Sequence, residues 1–211
     1  MIIVIAIVEF RDKKTRIVIE MIRKNQMEII TSLSDKYSTK ATNEGQNNYL
    51  ISLSGNNLKS FILINNDVTL QRFNFGSQIL FDVGESKIKP QGKEMLKNLF
   101  EIIIPKLDEI KEIQIQGHTD TLIVSTGSNL ELGSERAISI FHYMLELGID
   151  PTENLISATS YGEFKPFQRG FSPNYNRAQL NLDNNTPEKR ELNRRIEIVL
   201  IYRGDDKLKL E

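Results

Sequence analysis

From Ile79 onward the chain alternates between runs that read as strands and runs that read as helices, and this alternation limits the fold more than any other feature. Ile79-Leu80-Phe81-Asp82-Val83 has the texture of a strand ending at Gly84. Pro90 suits the first turn of a helix, where a missing N–H costs nothing. Leu96, Leu99 and Ile103 then give that helix a buried stripe, and Pro105 breaks it. Glu112–Gly117 alternates as a half-buried strand. Asn129 is placed to N-cap a helix running through Leu147, with Gly148 at its C′ position. Ile156–Tyr161 and Arg195–Tyr202 are the remaining strands. Strands interleaved with helices predict an α/β domain, helices packed on a mixed sheet in the order β-α-β-α-β-β.

Upstream the texture differs. Met1–Val8 is wholly apolar, whereas a membrane-spanning helix takes roughly 20 apolar residues. The stretch also lacks the basic start and small-residue cleavage site of a signal peptide. Two readings stay open: a short buried strand, or the end of a transmembrane helix that begins before Met1. Ile17, Val18, Met21, Ile22, Ile29, Ile30 and Leu33 recur at helical spacing, which predicts a helix over 17–38. Residues 39–48 are polar and read as a linker. Tyr49–Leu53, Ser60–Ile64 and Val68–Phe73 read as strands, separated by Gly55-Asn56-Asn57 and Asn65-Asn66-Asp67 turns. The expected organisation is an N-terminal hydrophobic, helical and linker region (1–48), a short meander (49–75), the α/β domain (76–203) and a polar tail (204–211).

Composition excludes several functions. The chain has 211 residues with 27 Lys+Arg against 28 Asp+Glu, so it lacks the basic excess that drives nonspecific nucleic-acid binding. It has no Cys, which excludes thiol nucleophiles and Cys-ligated metals, and no HExxH motif. No metal or cofactor is expected. Of the two histidines, His118 neighbours Asp120 on a strand without a Ser or second His in register, so it reads as a structural hydrogen-bonding residue rather than a catalyst. His142 reads as packed within its helix.

Three segments look unlike structural filler: Gln116-Gly117-His118-Thr119-Asp120 at a strand end, Ser128–Ala137 opening a helix, and Asn193-Arg194-Arg195-Ile196-Glu197 entering the last strand. In open α/β sheets ligands sit beyond the carboxyl ends of strands. There Asp120 and Arg136 can face one pocket with opposite charges, suited to a zwitterion whose ammonium meets the carboxylate and whose carboxylate meets the guanidinium. The alternatives are ordinary: Asp120 as a strand-end cap, and Arg136 as a helix charge paired with Glu131 or Glu135. Arg195 is expected to start the strand and pair with a nearby carboxylate.

Together these segments resemble the OmpA/MotB C-terminal domain, a peptidoglycan-binding family whose marks are Gly-His-Thr-Asp, Asn-x-x-Leu-Ser-x-x-Arg-Ala and Asn-Arg-Arg-(Val/Ile)-Glu. Leu80-Phe81-Asp82-Val83-Gly84, Tyr161-Gly162-Glu163 and Pro166 add to the likeness, which covers about residues 76–203. The resemblance implies an OmpA-like fold and a noncatalytic wall anchor that binds diaminopimelate in the stem peptide. Asp120 and Arg136 would make the main contacts, Arg194 a third, with Thr119 and Asn129 as lesser candidates. The layout and the Ser-Asn-Leu-Glu-Leu run at 128–132 are similar to stator B subunits, flagellar MotB and the Zorya B subunit. That implies a MotA-like or Zorya A-type membrane partner, a homodimer, and inner-membrane anchoring with this domain in the periplasm, acting in motility or anti-phage defence. A soluble interaction module that uses the fold without the wall is the alternative; an envelope hydrolase lacks the residues. Two departures stand out. Gly133 replaces the usual Ser, and the segment 163–192 is long, carrying Phe164, Phe167, Phe171 and Tyr175, which either roof the pocket or pack down to hold the loop.

Overall fold

A computed structural model describes residues 2–53, 61–122, 127–169 and 174–204, with side chains from residue 13 onward. The Gly55-Asn56-Asn57 turn, Phe171 and nearly all of the polar tail lie outside the described residues.

Helix α1 (Ile2–Lys36) is continuous, so the buried-strand reading of the N-terminus fails. No helix among the described residues is long and apolar enough to cross a membrane. Strands β1 (Thr42–Gly45) and β2 (Asn48–Ser52) form a hairpin whose turn residues Gln46 and Asn47 have φ of 49° and 61°, the left-handed pair that a tight turn between twisted strands requires. Residues 39–48 thus carry ordered structure where polarity alone indicated a linker. Strands β3 (Phe61–Asn66) and β4 (Leu70–Gly76) continue the meander, β4 starting and ending later than its apolar pattern implies. After a short α2 (Ser77–Leu80) come α3 (Pro90–Ile103), a 3₁₀ turn (Ile104–Glu109), β5 (Ile110–His118), α4 (Asn129–Glu146), β6 (Leu155–Gly162), α5 (Arg177–Leu182), α6 (Pro187–Asn193) and β7 (Arg195–Tyr202).

Among the described residues seven strands form one mixed sheet in the order β1-β2-β3-β4-β7-β5-β6, in which β5 and β6 pair parallel and the other neighbours antiparallel. The β-α-β-α-β-β order holds, with β4 as its first strand. Ile79–Val83 is not that strand. The β4–β7 ladder stops at the Gly76–Arg195 pair, Ser77 N–H donates to the Arg194 carbonyl, and the chain coils into α2. Leu80 and Phe81 are buried all the same, which explains their strand-like apolarity.

Alternate strand residues (Ile62 and Ile64, Phe73 and Phe75, Ile113 and Ile115, Ile196, Ile198 and Leu200) share one core with α1, α3 and α4. From α1 come Val18, Ile22, Ile29, Ile30 and Leu33, and full burial of such side chains stabilises by about 1.5–3 kcal/mol each. Gln26 fixes the helix to the β3–β4 turn: its Nε2 donates to the carbonyls of Asp67 (2.9 Å) and Leu70 (3.0 Å), and its own carbonyl accepts from Gln71 Nε2 (3.0 Å).

The opposite face of β7, β5 and β6 is polar. Buried Glu197 accepts from Arg195 Nε (2.8 Å), lies 3.0 Å from Arg72 Nε and meets Lys165 Nζ at 4.0 Å. Burial works to raise the Glu197 carboxyl, but the surrounding cations, Arg195 foremost, hold it below its ordinary value. His118 faces this side, stacked on Tyr161 at 5.2 Å with Nε2 3.5 Å from Glu197. Burial, then Arg195, push its pKa down to about 3, so its imidazole stays neutral. His142 is exposed rather than packed, its ring edge-on to Phe141 at 5.7 Å, because it falls on the solvent side of α4.

Candidate functional site

At the end of the sheet where β5 finishes and β7 begins, a cleft of about 380 Å³ opens between the 77–84 segment, the β5 terminus and the first turns of α4. Thr119, Asp120, Asn129, Arg136 and Arg194 all line it, with Ser77, Gln78, Phe81, Asp82, Val83, Gly84, Leu122 and Leu132. Residues from three distant parts of the sequence meet because β5 and β7 are antiparallel neighbours and α4 follows β5 directly.

Helix α4 is aimed by its N-terminus. Ser128, not Asn129, is the N-cap: Ser128 Oγ accepts from Glu131 N–H (3.2 Å), and Glu131 Oε2 accepts from Ser128 N–H (2.6 Å), a complete capping box. This frees Asn129 for the cleft, where its Nδ2 donates to the Asp120 carbonyl (3.0 Å). The helix lies close on β5 through glycines. A Cβ on Gly117 would meet the Gly133 carbonyl oxygen at 2.1 Å, and one on Gly133 would meet Ser160 Oγ at 2.3 Å. Gly133 therefore makes room for Ser160 where a Ser at 133 would collide.

Asp120 is 4% exposed. One carboxylate oxygen accepts from Leu122 N–H (2.9 Å), and the other pairs with Arg194 Nη1. The Asn-Arg-Arg run divides its work. Asn193 is buried, donating to the Asp183 carbonyl (2.9 Å) and Asn184 Oδ1 (2.8 Å) and accepting from Phe167 N–H (2.8 Å). Arg195 turns to Glu197 on the polar face and donates to the Lys165 carbonyl (3.3 Å), the carboxylate pairing that its place in the sequence implies. Only Arg194 points into the cleft.

Arg136 shares the cleft with Asp120 but does not pair with it. Its Nε donates to the Glu85 carbonyl (2.8 Å), Nη2 to the Asp82 carbonyl (3.3 Å), and its guanidinium lies 5.1 Å from the centre of the Phe81 ring. Neither Glu131 nor Glu135 is its partner; among the described residues no carboxylate pairs with it. Burial, then repulsion from Arg194, push its pKa down to about 10, so it stays protonated at neutral pH. Two buried polar atoms of the cleft, Thr119 Oγ1 and Asn129 Oδ1, have no hydrogen-bond partner among the described residues. Unsatisfied buried groups are costly, and they are not confined to the cleft: both ring nitrogens of His118 on the polar face are others.

The described loop aromatics do not roof this cleft. Tyr175 bonds Asp183 (2.7 Å), Phe167 lies under Arg195 (5.4 Å) and Phe164 is half exposed, while α5 and α6 fill what reads in sequence as a long loop. The contributions of Phe81 and of the Asp82 and Glu85 carbonyls are invisible to side-chain reasoning, although the Leu-Phe-Asp-Val-Gly run that supplies most of them stands out. No group of three or more His, Asp or Glu among the described residues is arranged to hold a metal ion.

Known proteins share sequence and fold with this chain. Residues 80–179 match the OmpA family. YtxE of Bacillus subtilis is 32% identical over 127 residues, 58% of this chain and 44% of YtxE. Motility protein B of Bacillus subtilis is 28% identical over 131 residues, 60% of this chain and 43% of its own length. The chain thus spans less than half of either relative. The crystal structure of a MotB-like protein from Desulfovibrio vulgaris superposes with a TM-score of 0.65 at 25% identity, covering 90% of this chain and 96% of that one. The chain carries an OmpA family domain, with MotB proteins as neighbours in both sequence and structure.

Proposed function

We propose that this protein is a noncatalytic cell-wall anchor whose cleft holds the zwitterionic end of diaminopimelate in the peptidoglycan stem peptide. The observation that carries this reading is Arg136: a buried guanidinium without a carboxylate partner among the described residues, in the same cleft as the buried carboxylate of Asp120. A ligand carboxylate would supply Arg136 with its missing anion, and a ligand ammonium would meet Asp120. Phe81, Leu122 and Leu132 also line the cleft and give it apolar surface suited to an aliphatic spacer. Arg194 adds a second cation, and Thr119 and Asn129 offer hydrogen-bonding atoms.

The kinship with MotB proteins supports a wider reading. The domain would tether a membrane complex of stator type, MotB or Zorya B in kind, with a MotA-like or Zorya A-type partner. The chain would work as a homodimer held at the inner membrane with this domain in the periplasm. The test is co-sedimentation with diaminopimelate-type sacculi. Wild type is expected to pellet with them; Asp120→Ala and Arg136→Ala are expected to stay in the supernatant with unchanged circular dichroism. Folded variants that still pellet would remove the site assignment, and a wild type that does not pellet would remove the function.

A further inference from the structure

We infer that Arg194 is a latch on the cleft: its ion pair with Asp120 occupies the ammonium position of the free protein and is exchanged, not simply extended, when a zwitterion binds. The inference rests on the zwitterion reading of the cleft. One Asp120 oxygen accepts from Leu122 N–H and the other pairs with Arg194 Nη1, and so little of the carboxylate is exposed that an incoming ammonium must displace the Arg194 side chain to reach it. The two partners differ in freedom. The Asp120 side chain is 6% exposed and follows a strand end, whereas that of Arg194 is 38% exposed. The backbone of Arg194 is held by its neighbours: its carbonyl accepts from Ser77 N–H, its N–H donates to the Arg190 carbonyl, and Asn193 and Arg195 are both anchored in buried networks. Movement is therefore confined to the side chain, a long arm on a fixed pivot.

The second guanidinium gives that arm somewhere to go. Arg136 has no carboxylate among the described residues, and the two arginines repel each other across the cleft. A ligand carboxylate placed at Arg136 converts this repulsion into a shared attraction and gives Arg194 a new partner as it leaves Asp120. A zwitterion thus exchanges one ion pair for three, its ammonium meeting Asp120 and its carboxylate meeting both Arg136 and Arg194. An amine without a carboxylate must open the same pair and leave Arg194 unpaired. The latch makes the site read both charges of its ligand together.

The test uses the full chain and a soluble tripeptide, L-Ala-γ-D-Glu-meso-diaminopimelate, beside the same peptide with the carboxylate of its zwitterionic end converted to a carboxamide. In wild type the acid form is expected to bind at least ten-fold tighter. In Arg194→Ala its association rate should rise several-fold, its dissociation rate should rise as well, and the preference for acid over amide should fall at least five-fold. Arg194→Lys, which can remake the pair, should restore the preference. An association rate and preference unchanged in Arg194→Ala would overturn the latch, as would a lower association rate, which marks a plain contact. A measurement without ligand separates this failure from failure of the wall reading. The Arg194 guanidinium should rotate slowly by nitrogen NMR in wild type and freely in Asp120→Asn. Equal rotation in the two overturns the latch whether or not any peptide binds; failure of wild type to bind either peptide overturns the zwitterion reading and the ligand exchange with it.

Discussion

Gly133 shows how far one missing side chain shapes the site. Its hydrogen faces Ser160 Oγ, which stands 2.3 Å from where a Cβ would be. Gly133→Ser is expected to lower stability by about 1–3 kcal/mol through overpacking, and Ser160→Gly in the same chain should recover most of it. Thermal unfolding of the single and double variants checks this; additive losses would place the strain elsewhere. Gly117→Ala should resist any such rescue, since its neighbour is the Gly133 carbonyl itself. His118 makes a prediction of a different kind. Its folded pKa is about 3 against an ordinary 6.5, so between those values the unfolded chain holds the extra proton. Stability should therefore fall as pH drops through 6.5, by about 2 kcal/mol from pH 7 to pH 5, and His118→Gln should flatten this limb in urea unfolding. Glu197, held below its ordinary 4.5, adds a further loss at more acidic pH.

Helix α4 supplies Asn129 and Arg136 to the cleft, and its direction is set before its first turn by the Ser128–Glu131 capping box. Ser128→Ala should cost about 1 kcal/mol and, in a chain this size, about 2–4 °C of melting temperature. Amide exchange at Asn129–Leu132 should quicken while that of β7 changes no more than the global loss requires. The element also marks the limit of sequence reading. The helix and its Gly148 terminus are legible because apolar period and φ-positive glycine are local properties; Gly148 has φ 86°. The short α2 is not, because the end of β4 is fixed by the start of its partner β7, and Leu80 is apolar in either conformation. The same holds in the cleft. Asp120, Arg136 and Arg194 are legible as motif residues in three segments, but the choice of Arg194 over Arg136 as the partner of Asp120 depends on carbonyls of Asp82 and Glu85 that no side-chain pattern encodes.

Across the whole molecule, α1 and the sheet share one core, so they are expected to open together. Leu33 is fully buried in that core, and Leu33→Ala should cost about 2–5 kcal/mol. The loss should appear equally in amide exchange of Ile29–Leu33 and of β7; fast exchange confined to α1 would mean that the helix opens alone. The sheet order has a mechanical consequence. Asp120 follows the end of β5 and Arg194 precedes the start of β7, two interior strands side by side. The component of any pull on a cleft-bound ligand that runs along these strands loads the β4–β7 and β5–β6 ladders in shear, where every hydrogen bond resists at once. A grip mounted on an edge strand would instead peel away one bond at a time.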